Sequence, residues 1–231
     1  MKLGILTALA GEAARLPPRD ARLLGAHSFI SAIAGPGQAR AEAGARRLRE
    51  QGAEALIAFG VAGGLDPSLR AGDLVVGSSI RNADGRLHDC APPLVAALVA
   101  ALAPLTPRCA PLASLPSPVT DSVAKRALHT QHGCVAVDME SAGLAVVAAE
   151  FGLPCAALRV VIDPADFSLP RAALAGMGED GETHAFATAL AVLRRPWELA
   201  ALLRLALWYG AALRGLAAAG AALAAPGHAA H

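Results

Sequence analysis

Charge of one sign is what this chain most plainly lacks: 20 Lys and Arg stand against 19 Asp and Glu, for a formal net charge of +1. With no basic excess there is no electrostatic footprint for DNA or RNA, and a nucleic-acid partner is not expected. Cysteine is sparse as well. Cys90, Cys109, Cys134 and Cys155 lie far apart and form no C-x-x-C pair, which removes zinc ribbons and thioredoxin-type motifs and leaves no metal site to expect. Isolated thiols of this kind fit the reducing cytosol. Phosphate-cradling signatures are missing too: no G-x-x-x-x-G-K-[ST] occurs, and "AGPGQAR" at 34–40 lacks the third glycine of a dinucleotide fingerprint. NAD and P-loop NTPase readings are therefore weak. There is no internal repeat and no low-complexity linker. The opening "MKLGILTALAGEAARLPP" carries one early lysine and an apolar run too short for a signal peptide, and reads as a first buried strand.

What is present is apolar and periodic. A chain of 231 residues with 55% hydrophobic content can bury one full core. Short apolar runs at 2–9, 27–34, 53–60, 73–80, 134–139 and 155–162, bounded by Gly, Pro or charge, predict buried strands. Helical patterns fall between them at 38–52, 92–105 and 141–152, with Gly52 and Gly152 where a helix C-cap is wanted. This alternation predicts a three-layer α/β domain with a mostly parallel sheet. The Pro-rich segment 106–121 reads as a long loop. Residues 194–226 are helical in pattern after a Pro near their start, with Trp197, Trp208 and Tyr209 among Leu and Ala and with Glu198, Arg204 and Arg214 interrupting a membrane span. Such a helix packs in a core or an oligomer interface, or lies on a membrane surface.

Three junctions hold chemistry. In "FGVAGGL" (59–65) the glycines let backbone and ligand approach closely or give positive φ. "VAVDMESAG" (135–143) runs a strand into Asp138 and Glu140; carboxylates there cap the following helix or face a ligand. In "ALRVVIDPAD" (157–166), Arg159 sits inside a buried strand, so it must be paired or bind an anion, because a lone buried charge is costly. Asp163 and Asp166 follow it within the same stretch.

Together "MKLGILTALAGE", "GPG", "GVAGGL", "VDMES" and "RVVIDPAD", in this order and spacing, resemble the nucleoside phosphorylase superfamily on the branch containing methylthioadenosine/S-adenosylhomocysteine nucleosidases, over residues 1 to about 190. The set is specific where each motif alone is weak. The resemblance implies a three-layer α/β/α fold with a central mixed, mostly parallel sheet, with a catalytic domain at 1–193 and an apolar helical extension and tail at 194–231. It implies cleavage of a purine nucleoside at its N-glycosidic bond, with no metal or organic cofactor. Met139 would pack on the ribose, Glu140 would take its 2′- and 3′-hydroxyls, and Asp138 is left as a cap. Asp163 would protonate the leaving purine at N7, a task that burial must serve by raising its pKa. Glu12 would orient or deprotonate a water beside Arg159, and backbone N–H groups of Gly60, Val61, Ala62 and Gly63 would line the water or phosphate site. Val119 and Thr120 fall where the base pocket is expected. Val61 and Ile162 stand where the nucleosidases carry Ser, so substrate contacts must differ.

The tail "RRPWELAALLRLA", with the "VDMES" and "IDPAD" wording, is similar to hopanoid-associated members of the superfamily. That likeness implies adenine release from adenosylhopane, with inorganic phosphate or water as co-substrate. It also implies a cytoplasmic homo-oligomer with peripheral contact at the inner membrane through 196–225. A soluble methylthioadenosine/S-adenosylhomocysteine nucleosidase and a non-catalytic nucleoside-binding member are the alternatives.

Overall fold

The computed structural model describes residues 1–171, 173 and 196–224, so the expected boundary at 193 and the tail beyond 224 lie outside the described residues. The chain runs β1 (Lys2–Thr7), α1 (Ala10–Ala13), β2 (Ser28–Ile33), α2 (Gln38–Glu50), β3 (Ala55–Gly64), β4 (Leu74–Arg81), β5 (Leu87–Asp89), α3 (Pro92–Ala101), β6 (Arg108–Ser114), α4 (Ser122–His132), β7 (Ala136–Asp138), α5 (Ser141–Phe151) and β8 (Cys155–Asp163). A short 3-10 turn, Pro196–Glu198, then leads into α6 (Leu199–Ala224). All six strands and three helices anticipated from periodicity are present. Gly152 ends α5 in the left-handed region at φ 63°, as a helix C-terminus favours.

The strands form one mixed sheet in which five pairings are parallel and three antiparallel. Its path is β2-β1-β3-β7-β6-β4-β5, and β8 pairs with both β3 and β4. β3, β7, β6, β4 and β8 therefore close into a ring, a barrel-like turn of the sheet that hydrophobic periodicity does not reveal. β3 and β8 are buried along nearly their whole length, as strands covered on both faces must be. On one face Ala41, Ala45 and Leu48 of α2 meet Leu144, Ala145 and Ala148 of α5. On the other, Leu94 and Leu98 of α3 join Ala212, Leu216, Ala219 and Leu223 of α6 against β8 residues Leu158 and Val160. Helices thus cover both sides of the sheet.

Two expectations are corrected. The segment 106–121 is not all loop, because β6 occupies Arg108–Ser114 inside the ring. Its Pro111 falls where the β4–β6 register shifts between Gly77 and Ile80, with Ala110 and Leu112 paired on either side; a proline is tolerated at such a bulge because no ladder N–H is demanded of it. Likewise "FGVAGGL", read as a junction at a strand end, lies mostly within β3, which runs on through Gly64.

Candidate active site

α1 is one helical turn that follows β1 directly, and it carries Glu12 inward to 1% exposure. The carboxylate accepts N–H bonds from Ala8 at 2.8 Å and Leu9 at 3.0 Å on Oε2, and from Val61 at 2.9 Å on Oε1. Burial pushes its pKa up, opposed by the Arg159 guanidinium and by those three donors. The need for a glycine at position 60 follows from this packing. A Cβ there would stand 2.6 Å from Glu12 Oε1 and 2.7 Å from Arg159 Nη1. Close approach, not backbone conformation, is what Gly60 supplies, because it does not adopt positive φ.

Arg159 is 1% exposed on β8 and is satisfied by acids. Its Nε meets Asp138 Oδ2 at 2.6 Å, its Nη2 donates to Ser141 Oγ at 3.0 Å, and Glu140 Oε2 lies 3.8 Å from Nη2. Asp138 also accepts from the backbone N–H groups of Glu140 at 3.2 Å and Ser141 at 3.1 Å on Oδ1 and from the Ser141 hydroxyl on Oδ2. It is both the cap at the start of α5 and the principal counter-ion of Arg159. Glu140, 7% exposed, accepts from Gly37 N–H at 3.0 Å on its other oxygen, which brings the "GPG" turn into the site. Burial raises the Glu140 pKa to about 7, with Arg159 opposing and Asp138 adding to the rise.

Asp163, four residues along β8, forms a second group. It is 3% exposed and paired to Lys125, which is 0% exposed on α4. The ammonium also donates to the backbone carbonyls of Pro164 and Phe167, each at 3.0 Å. Burial raises the Asp163 pKa as anticipated, while Lys125 pulls it back down. Thr120 accepts from Leu169 N–H at 2.8 Å, which ties the loop before α4 to the segment beyond Asp163. Val119 packs with Leu65 and Val137, and Met139 is half-buried next to Glu140. α6 borders both groups: Tyr209 Oη would lie 3.2 Å from a Cβ on Gly11, and Trp208 packs edge-on against Phe167 with ring centroids 4.8 Å apart.

The stretch expected to line the nucleophile site is strand rather than turn. Gly60, Val61, Ala62 and Gly63 sit in extended backbone paired with β8, and the Val61 N–H is engaged by Glu12. Ala62 is buried in the core. No anion nest forms there, because a nest requires successive N–H groups turned to one side. Lys125 was missed by sequence reading, since α4 lay hidden behind a Pro-rich stretch. Its signals were Asp121, whose side chain caps Val123 and Ala124, and Gly133, which ends the helix at φ 66°.

Residues 22–194 match a family model described as the phosphorylase superfamily. No curated protein sequence matches the chain. Among solved structures, futalosine hydrolase of Helicobacter pylori strain 26695 is similar at 19% identity and a TM-score of 0.71, over 96% of this chain and 95% of that one. A 5′-methylthioadenosine/S-adenosylhomocysteine nucleosidase of Helicobacter pylori is similar at 19% identity and a TM-score of 0.70, over 96% of each chain. The corresponding nucleosidase of Colwellia psychrerythraea 34H, in complex with adenine, reaches 23% identity and a TM-score of 0.65 over 84% of this chain and 93% of that one. At these identities the likeness is one of fold.

Proposed function

The chain belongs to the phosphorylase superfamily, and from that premise we propose that it cleaves the N-glycosidic bond of a purine nucleoside with water, not phosphate, as the nucleophile. The surroundings of Arg159 carry this reading. Phosphate needs spare cationic donors, and the guanidinium on the nucleophile side is flanked by Asp138 at 2.6 Å, Glu140 at 3.8 Å and Glu12 across Gly60. One positive charge among three acids makes a dianion unwelcome and a water hydrogen-bonded to Glu12 favourable.

In this reading the C1′–N9 bond breaks with its electron pair passing to the purine, and positive charge develops on the sugar. Glu140 accepts the 2′- and 3′-hydroxyls, and its charge steadies the sugar cation. Glu12 orients the water and takes its proton. Asp163 assists the base at N7, Met139 flanks the ribose, and Val119 and Thr120 flank the base. The bond from Leu169 to Thr120 supports the last assignment, since it holds their loop beside Asp163.

The substrate we propose is adenosylhopane, reached at a membrane surface. This finer reading is supported by α6. Its N-terminal half leaves Leu199, Leu203 and Leu207 exposed at one-turn spacing, with Trp197 exposed just before it, while Trp208 and Tyr209 of the same half contact the site loops. The test measures adenine release from adenosylhopane in detergent and from methylthioadenosine, each with and without phosphate. Equal rates with and without phosphate are expected, with the hopanoid preferred. An absolute phosphate requirement would sink the water reading; a preference for methylthioadenosine would sink the lipid reading and leave a small-molecule nucleosidase.

A further inference from the structure

An acid meant to give up a proton is poorly served by a neighbouring cation that holds it ionised. Yet Asp163 lies against Lys125, a lysine with 0% exposure. Three acceptors surround its Nζ: Asp163 Oδ2 and the carbonyls of Pro164 and Phe167, both at 3.0 Å. Three acceptors match the three N–H bonds of an ammonium, so the resting pair is Lys125 cation and Asp163 carboxylate. Burying such a pair contributes little stability compared with an apolar side chain of the same size. The position therefore asks for a role beyond packing, and Val119, Thr120 and the backbone of Phe167 put it beside the expected base pocket.

We propose that Lys125 is a positioning residue that stores the proton Asp163 delivers to the departing purine. This inference rests on the glycosidic reading above. As the C1′–N9 bond breaks, its electron pair goes to the purine, Lys125 Nζ passes one proton to the Asp163 carboxylate along the existing hydrogen bond, and the carboxyl so formed gives a proton to N7. Asp163 is a carboxylate before and after the step. Lys125 ends as a neutral amine held by the two carbonyls. Water adds to C1′ and gives its proton to Glu12, and solvent exchange returns Lys125 to the ammonium and Glu12 to the carboxylate. The sum is nucleoside plus water giving ribosyl product plus purine.

The experiment compares two leaving groups in the full chain. One substrate is the nucleoside the wild type cleaves faster, methylthioadenosine or adenosylhopane in detergent; the other is para-nitrophenyl β-riboside, whose phenolate departs without protonation. Lys125→Met is expected to lower kcat on the nucleoside by roughly 10²–10³-fold, within the span of general acid catalysis, with KM little changed and nitrophenyl riboside cleavage kept within about threefold of wild type. Lys125→Arg is the second variant should the first not fold. It keeps the ion pair but does not surrender its proton, so the same split is expected. Retained nucleoside turnover in either folded variant overturns the proposal, and so does an equal loss on both substrates, which would make Lys125 a residue of the fold alone. A wild type that cleaves neither substrate sinks the glycosidic reading itself, and the proton store with it.

Discussion

In the proposed mechanism Glu140 takes the sugar hydroxyls as a carboxylate, yet it is buried where charge is disfavoured. Burial is the larger effect, and its pKa stands at about 7 against an ordinary 4.5. Because the folded value is the higher one, protonated Glu140 favours the fold: the contribution is fully present below about pH 4.5 and is lost as pH rises through about 7. Glu140→Gln should accordingly be more stable than wild type at pH 8, by about 3 kcal/mol at one pKa unit per 1.36 kcal/mol, and indistinguishable from it at about pH 4. Urea unfolding at the two pH values checks this. Activity should run the other way, with wild-type kcat/KM falling about tenfold per unit below about pH 7 and the variant inactive throughout. A wild-type profile flat from pH 8 to about 5 would remove the carboxylate requirement.

At the scale of elements, the site depends on how closely α5 rides on α2. Gly143 makes that approach possible, because a Cβ there would lie 2.4 Å from the Gln38 carbonyl and 3.0 Å from Ala41 Cβ. Gly143→Ala should push α5 outward, and with it Glu140 and Ser141 at its first turn. We expect a loss of about 1–3 kcal/mol from overpacking and a Tm lower by about 2–4 °C per kcal/mol, read by thermal unfolding. kcat/KM on the nucleoside should fall alongside. An unchanged Tm would mean that the helix pair yields without cost.

For the molecule as a whole, α6 is split between two environments. It is long and apolar enough by composition to cross a membrane, but Ala212, Leu216, Ala219 and Leu223 are core residues packed with β8, which ties its second half to the domain. The first half keeps Leu203 and Leu207 at 59% and 74% exposure. If that face meets lipid, wild type should cosediment with phosphatidylglycerol–phosphatidylcholine vesicles. Leu203→Glu with Leu207→Glu should weaken binding by about tenfold or more, since each leucine buried is worth about 1.5–3 kcal/mol. Methylthioadenosine turnover should be unchanged, neither residue being in the site. Vesicle binding unaffected by the pair of substitutions would assign the stripe elsewhere.

By itself the sequence determined what lies within one local period or one turn. The strand and helix alternation, the C-cap at Gly152, and the need of Arg159 for a partner were all legible, because hydrophobic spacing and the cost of a buried charge act on neighbours in the chain. β6 was not, because Pro111 reads as a loop until a bulge in the facing strand removes the demand for its N–H. Nor could spacing reveal that Gly60 faces Glu12 and Arg159, or that Lys125 closes on Asp163 from 38 residues away. Those contacts come from the pairing of β1 with β3 and from the closure of β3, β7, β6, β4 and β8 into a ring. Only that long-range pairing sets which acids surround the Arg159 guanidinium, on which the proposal of a water nucleophile rests.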